Sequence, residues 1–511
     1  MKNQYIIAHD LGTSGNKATL YDSSGNLLAS DKHAYPTTYL KTGWAEQEPD
    51  DWWNAVCNST KNLIQKSKID PRDIACTTFS GQMMGCLPVS REGECLYKSI
   101  IWADMRSVLE ARRLEKEIGR DYVYQTTGTS IAPNYSLEKI MWFKKNHPDI
   151  YSGTACFLNA KDYIVYRLTG VFATDYSDAS GTNILDIQKK IWSSEIACTA
   201  GIDLNKLPPL HASTHIVGYV TRESGIQSGL PAGLPVVIGG GDGPCATVGA
   251  GAVEDGDVYN CFGSSSWISV TRKTPLFERN QLTFNLCHLD PDLYMAPGTM
   301  QSAGASYEWM KEKLAPYEIL EADKMGVSVF EVLEEKAMQS SPGANGLLFL
   351  PYLMGERCPY WNPNAKGTLI GLEQRHSRAD IIRAVYEGPI FNLRIILDLF
   401  KSQGIDCNKI TAIGGAVKSS FISQMMADVY KANILRPVIL EEATSFGAAI
   451  AGGVGVGLFP GFKEVKKILK TEDVFRPIIE NSKKYLKTLS VFKASYKALI
   501  QVFDELSGLD S

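Results

Sequence analysis

The chain has 511 residues, 44% of them apolar and 21% charged, with a formal net charge of −4. That length exceeds one ordinary hydrophobic core and predicts more than one domain, while the near-balanced charge offers no basic face for nucleic acid or an acidic membrane. Eleven scattered cysteines with no Cys-x-x-Cys pair, and only seven histidines, argue against a zinc site or a disulfide framework and read as buried reduced thiols of a cytoplasmic protein. No signal peptide is expected, because Asp10 and Lys17 interrupt the first apolar run.

Tyr5–Leu28 reads as a strand, a Gly-rich turn, a strand, a turn at Ser24-Gly25-Asn26 and a third strand. Within it, Gly12, Thr13, Ser14 and Gly15 permit a tight turn whose N–H groups converge as an anion nest beside Asp10. No Walker A loop follows, and alone the same stretch reads rather as a plain β-hairpin. Ile74–Phe79 reads as a strand and Ser107–Ile118 as a charged surface helix. Leu234–Pro244, LPVVIGGGDGP, is an apolar strand that ends in three glycines and Asp242. Three glycines forfeit much conformational entropy on ordering, so something must approach that backbone closely. A bound substrate is the expected neighbour; a strand end with a solvated aspartate is the bland alternative.

Gly249–Asp257, small and acidic, reads as a link between halves. Asp257–Thr271, DVYNCFGSSSWISVT, then repeats the opening plan of strand, small-residue turn and strand. Ile381–Phe400 keeps apolar residues at helical spacing, with a bend expected at Pro389. Ile410–Asp428 reads as a strand, a Gly414-Gly415 turn and a helix, a common arrangement in which helix N-termini accept phosphate groups. Ala443–Phe462 lacks charge but is rich in Gly and Ala, which favours a packed interior helix over a membrane span. Tyr485, Leu486, Leu489, Phe492, Tyr496, Leu499, Ile500 and Phe503 define one helical face, read as core. Strands alternating with helices in both halves give an α/β class.

Five stretches carry a family resemblance that covers nearly the whole chain: DLGTSGNK (10–17), IIWADMR (100–106), KDYIVYRLTG (161–170), GGGD (239–242) and GTLIGLEQRHSRADIIRAVYEG (367–388). YSLEKIMW (135–142) adds a looser match. In this order they resemble the FGGY family of carbohydrate kinases. The resemblance implies an α/β fold of two related ribonuclease H-like (actin/hexokinase-type ATPase) domains with a cleft between them. Residues 1–250 would carry the sugar site and base, 257–455 would bind nucleotide, and 456–511 would be a helical extension. GQMMG (81–85) and LPYLMGERCPYWNPNAKG (350–367) are most similar to the xylulokinase subgroup. That subgroup carries histidine where this chain has Met84 and asparagine where it has Gly243, both facing the sugar.

The same resemblance implies the roles. Asp242 would orient the acceptor hydroxyl and take its proton, with a carboxylate of ordinary basicity, ~3.9, sufficing in a loose transition state. Asp10 would hold Mg²⁺ through water. Gly12, Thr13 and Ser14 on one hairpin and Gly263 and Ser264 on the other would grip the phosphates of ATP. Gly304, Glu308, Gly414, Gly415 and Ser419 would surround the nucleotide, and Lys17 is either a phosphate ligand or a surface ion pair. Met83, Met84, Trp102, Asp104 and Gly243 would line the sugar with Asp242. The domains would close about 249–257 and 443–457. The partners are thus a small-molecule sugar and ATP, with no nucleic acid and no membrane; many relatives are dimers, so a homodimer is compatible. D-xylulose, phosphorylated to D-xylulose 5-phosphate, is the expected acceptor. Another ketose, a polyol or an aldonate is the alternative, and a non-catalytic sugar or nucleotide sensor is the reading from a different class.

Overall fold

A computed structural model describes residues 4–509. Its frame is two mixed sheets of seven strands. The first comprises β1 (Tyr5–Leu11), β2 (Gly15–Asp22), β3 (Leu27–Ala34), β4 (Ile74–Gly81), β5 (Ile216–Tyr219), β6 (Pro235–Val237) and β7 (Gly240–Gly241). Their order is β5-β6-β4-β1-β2-β3, with β7 beside β4. β1, YIIAHDL, is apolar on both faces because it lies mid-sheet between layers, whereas β3 at the edge is largely exposed and polar. The second sheet comprises β8 (Val258–Phe262), β9 (Ser266–Arg272), β10 (Leu286–Cys287), β11 (Tyr294–Met300), β12 (Lys409–Ile413), β13 (Asn433–Pro437) and β14 (Thr471–Phe475), in the order β10-β11-β9-β8-β12-β13-β14.

The two sheets repeat one plan. In each, the first strand pairs antiparallel with its hairpin partner and parallel with a later strand, β4 or β12. A further parallel strand and an antiparallel edge strand follow on that side. The duplicated hairpins read from the sequence are therefore the centres of two related sheets.

Seven helices matter to the site: α1 (Ser136–Asn146), α2 (Asp242–Gly249), α3 (Gly304–Leu314), α4 (Arg378–Ser402), α5 (Ser420–Tyr430), α6 (Ala443–Gly455) and α7 (Ile479–Leu509). α2 and α6 lie between the halves. α2 packs through Cys245 and Val248 on the first sheet and through Ala246, with Ala250 just beyond its end, against Tyr259 and Ile413 of the second. α6 follows the second sheet but packs with Ile6, Ala8, Cys76 and Val237 of the first. Glycine makes the crossing possible: a Cβ on Gly249 would lie 1.8 Å from the Ala443 carbonyl oxygen, and one on Gly447 1.9 Å from that of Cys245.

Several expectations change in detail. The segment 443–455, in the second half of the chain, packs against the first sheet. The stretch 456–511 is not only helical, since β14 within it forms the edge of the second sheet. α4 spans Arg378–Ser402 with Pro389 inside it. On α7, Tyr485, Leu489, Phe492, Tyr496 and Phe503 are buried, but Leu486 and Ile500, at the margin of the stripe, are 41% and 38% exposed. α6 is buried and thirteen residues long, and among the described residues no helix is long and apolar enough to cross a membrane.

Candidate functional site

Three parallel strands, β1, β4 and β7, end side by side, and the carboxyl ends of such strands are where open α/β sheets bind ligands. Asp10 is the penultimate residue of β1, in register with Ser80 of β4 and Lys17 of β2. Asp242 follows β7 directly and opens α2, so the two acids stand about two strand spacings apart, ~10 Å between backbones. Ser80 Oγ donates to Asp10 Oδ1 (3.2 Å) and Thr444 Oγ1 to Oδ2 (2.7 Å). Asp242 Oδ1 accepts the Gly243 N–H at 2.8 Å. Burial, opposed by those hydroxyls and by Lys17, raises the Asp10 pKa. Burial first, and then the charge of Asp10, push Asp242 up to about 7. The Asp242 carboxyl is thus not of ordinary basicity: its own site raises it toward neutrality.

The glycines before Asp242 have a structural cause and not the expected one. Gly239 has φ +69°, and a Cβ there would lie 1.8 Å from the Phe79 carbonyl oxygen. On Gly240 it would strike Leu289, and on Gly241 the Met83 sulfur. The protein itself, and not a ligand, fills the space beside this backbone. The strand is pinned from behind: the Gly241 N–H donates to Ser177 Oγ (3.0 Å), and Ser177 donates to Asp175. Asp175 in turn pairs with the fully buried Lys161, which also meets Asp162 and Asp178. A buried charge cluster therefore sets where Asp242 stands.

The β1–β2 turn closes with the Gly12 N–H donating to the Gly15 carbonyl (3.1 Å). Tyr35 Oη donates to the Gly12 carbonyl (2.5 Å), Gln47 Nε2 to that of Thr13 (2.7 Å), and Trp102 Nε1 to Thr13 Oγ1 (2.8 Å). Ser14 is left exposed. Lys17 Nζ donates to the Glu441 carbonyl (3.1 Å) and pairs with Glu442 (3.5 Å), so it is engaged as an ion pair with the segment leading into α6. In the opposing turn, the carbonyls of Gly263 and Ser264 accept N–H groups of Gly304 (3.0 Å) and of Ala303 and Ala305 (2.9 and 3.0 Å). That seats the turn on the start of α3, so closely that a Cβ on Gly304 would be 2.6 Å from the Gly263 oxygen. Gly414 has φ +98° and leans on the Phe262 backbone, while Gly415 has open space above it. Ser419 caps α5 by accepting the Ile422 N–H (3.1 Å). Glu308 is exposed and paired with Lys311.

On the other side of Asp242, Met83 is buried with Leu286 and Met295. Met84 holds φ +63°, a left-handed conformation rare for such a residue, and its sulfur lies 3.5 Å from Asn134 Nδ2. A side chain at Gly243 would meet only Met295, at 3.8 Å. Trp102 is 39% exposed. Asp104 departs from expectation: its carboxylate is buried, binds Arg106 through both oxygens, and accepts the Ala45 N–H at 2.6 Å. With those lone pairs occupied it cannot receive sugar hydroxyls; it braces the loop that carries Trp102.

Sequence reasoning missed Ser80, Thr444 and Lys139. Thr444 stood in a stretch read for its hydrophobicity and as a hinge. Lys139 lies within YSLEKIMW, and its Nζ donates to the carbonyls of Met84 (2.6 Å), Ile101 (2.8 Å) and Asn134 (2.7 Å). One buried ammonium thus ties together the three segments around Met84, Trp102 and Asn134. Among the described residues no three His, Cys, Asp or Glu side chains gather to hold a metal by themselves. Two mutually repelling carboxylates beside a glycine turn nonetheless suit a hydrated divalent cation that draws its other ligands from phosphate and water.

Residues 5–249 match the N-terminal domain, and residues 258–456 the C-terminal domain, of the FGGY family of carbohydrate kinases. The chain is 32% identical to a xylulose kinase of Bacillus subtilis over 496 residues, 96% of this chain and 97% of that one. It is 30% identical to a gluconokinase of the same organism over 490 residues, 96% and 94% of the two chains. Among solved structures, ligand-bound xylulose kinase from Lactobacillus acidophilus superposes with a TM-score of 0.91 at 27% identity, covering 98% of this chain and all of that one.

Proposed function

The chain belongs to the FGGY family of carbohydrate kinases, which phosphorylate a sugar hydroxyl with ATP, and we propose that its acceptor is D-xylulose, giving D-xylulose 5-phosphate. The observation that carries the reading is that Asp10 and Asp242 stand at the carboxyl ends of the two strands flanking β4, with the charge of one raising the pKa of the other. The choice of xylulose rests on the xylulose kinases among its relatives.

In this reading the acceptor oxygen attacks the γ-phosphorus, the bond to the ADP oxygen breaks, and the hydroxyl proton passes to the Asp242 carboxylate. A base near 7 is better matched to neutral pH than one near 4. Ser80 and Thr444 fix the direction of Asp10, which would hold Mg²⁺ through water, where the ion would offset phosphate charge. Gly12, Thr13 and Ser14 would receive phosphate oxygens from one side and Gly263 and Ser264 from the other. Gly304, Glu308, Gly414, Gly415 and Ser419 would surround the nucleotide, with the open space over Gly415 in favour of that placement. Met83, Met84, Trp102 and Gly243 would wall the sugar.

A coupled ADP-release assay over ketoses, polyols and aldonates tests the proposal. Xylulose should show the highest kcat/KM among the ketoses and polyols; turnover of none of the panel would favour the sensor reading. Asp242→Asn should lower kcat by about 10³-fold or more while sugar binding stays measurable by calorimetry. Retained turnover would remove Asp242 from the role of base.

A further inference from the structure

The carbonyls of Gly12, Thr13 and Ser14 in the β1–β2 turn all take donors from the segment that follows β3. Tyr35 Oη donates to the Gly12 carbonyl (2.5 Å), Gln47 Nε2 to that of Thr13 (2.7 Å), and the Tyr35 N–H to that of Ser14 (3.3 Å). Both side chains are buried, Tyr35 at 7% and Gln47 at 2% exposure. The Gln47 amide has only one possible orientation. An indole N–H can only donate, so Trp52 Nε1 at 3.0 Å fixes Oε1 on its side and leaves Nε2 toward Thr13 and toward Thr37 Oγ1 (2.8 Å). Gln82 Nε2, directly after β4, donates to the same Oε1 at 2.7 Å and holds it from a second direction. Burial, and then the charge of Asp10, keep the Tyr35 phenol above its usual pKa, so it remains a donor.

The carbonyl and the N–H of one trans peptide unit point in opposite directions. Holding the Gly12 and Thr13 carbonyls therefore turns the N–H groups of Thr13 and Ser14 the other way, toward the open side of the turn where Ser14 is exposed. Among the described residues neither N–H meets a hydrogen-bond acceptor. Two successive amides fixed in direction form a nest for an anion, and donors that are already aimed need not reorganise when the charge arrives. We propose that Tyr35 and Gln47 are positioning residues for phosphoryl transfer, which hold the carbonyls of Gly12 and Thr13 so that the N–H groups of Thr13 and Ser14 face the phosphates of ATP before it binds. The inference rests on the placement of phosphate at this turn and names what aims it. Both side chains lie behind the turn and act through one peptide unit each.

The test measures, by calorimetry, the affinity of the wild-type chain, Tyr35→Phe and Gln47→Met for the non-hydrolysable ATP analogue AMP-PNP with Mg²⁺, and for adenosine, which has the base and ribose but no phosphate. Each variant should bind AMP-PNP about tenfold more weakly and adenosine within twofold of wild type. The KM for ATP should rise in parallel while the KM for the sugar stays within twofold, a split that general loosening of the fold would not produce. Unchanged AMP-PNP affinity in Tyr35→Phe overturns the proposal, and that variant keeps the ring and removes one oxygen. An equal loss for adenosine also overturns it. Wild-type binding of AMP-PNP no tighter than that of adenosine would take phosphate away from the turn, and the proposal with it. Phosphate-selective losses in a chain that turns over no sugar would support the proposal and count against the catalytic reading alone.

Discussion

The β1–β2 and β8–β9 hairpins hold the same place in their sheets, yet they bring different chemistry to the crevice. Asp10 stands two residues before Gly12, and Cys261 two residues before Gly263. The first side chain is a carboxylate held by two hydroxyls. The second is a thiol pushed up to about 12 by burial and by the charge of Asp242, so it stays neutral. An acid there would set three carboxylates against one another and raise the Asp242 pKa further. Duplication supplied two amide-lined turns; only one could also carry a charge.

If the asymmetry is functional, Asp10→Asn should cost about 10²–10³-fold in kcat with little change in sugar KM, read by the ADP-release assay. A loss below tenfold would make the acid dispensable and the comparison empty. The buried Lys139 of the first half should matter to stability. Lys139→Met strands three carbonyls and should lower unfolding free energy by about 3 kcal/mol, measured in urea. The pH profile sharpens the contrast further. Asp242 must be ionised to accept a proton, and its raised pKa means that kcat/KM should fall about tenfold per unit below pH ~7. In Asp10→Asn, whose lost charge was raising Asp242, the acid limb of the residual activity should move to lower pH; an unmoved limb would deny the coupling. The smallest effect belongs to the second hairpin: Cys261→Ala should change kcat by less than about threefold, since a neutral thiol adds no charge to the transition state.

The duplication was legible because each hairpin is local: strand, glycine turn and strand lie within some fifteen residues, and their pattern depends on near neighbours. The same holds for the strand ending in Asp242 and for the helix of residues 378–402. Other features depended on distant partners. Asp104, Trp102 and Arg106 share one motif, but only Trp102 is left exposed, because the Asp104 carboxylate is engaged by Arg106 and the Ala45 amide. Gly239–Gly241 looked shaped by substrate, and what presses on them is Phe79, Leu289 and Met83.

What the sequence alone determined is the repertoire: two related α/β halves, amide-lined turns, and acids placed directly at the ends of apolar strands. These follow from side-chain size, backbone freedom and periodicity, all short-range properties. Tertiary structure decided the pairings: Asp10 beside Asp242, Thr444 on Asp10, Lys139 across three loops, and α6 laid on the sheet it does not follow. Such contacts join residues up to 434 positions apart. They are fixed by how whole layers pack, a long-range balance that no short stretch of chain encodes.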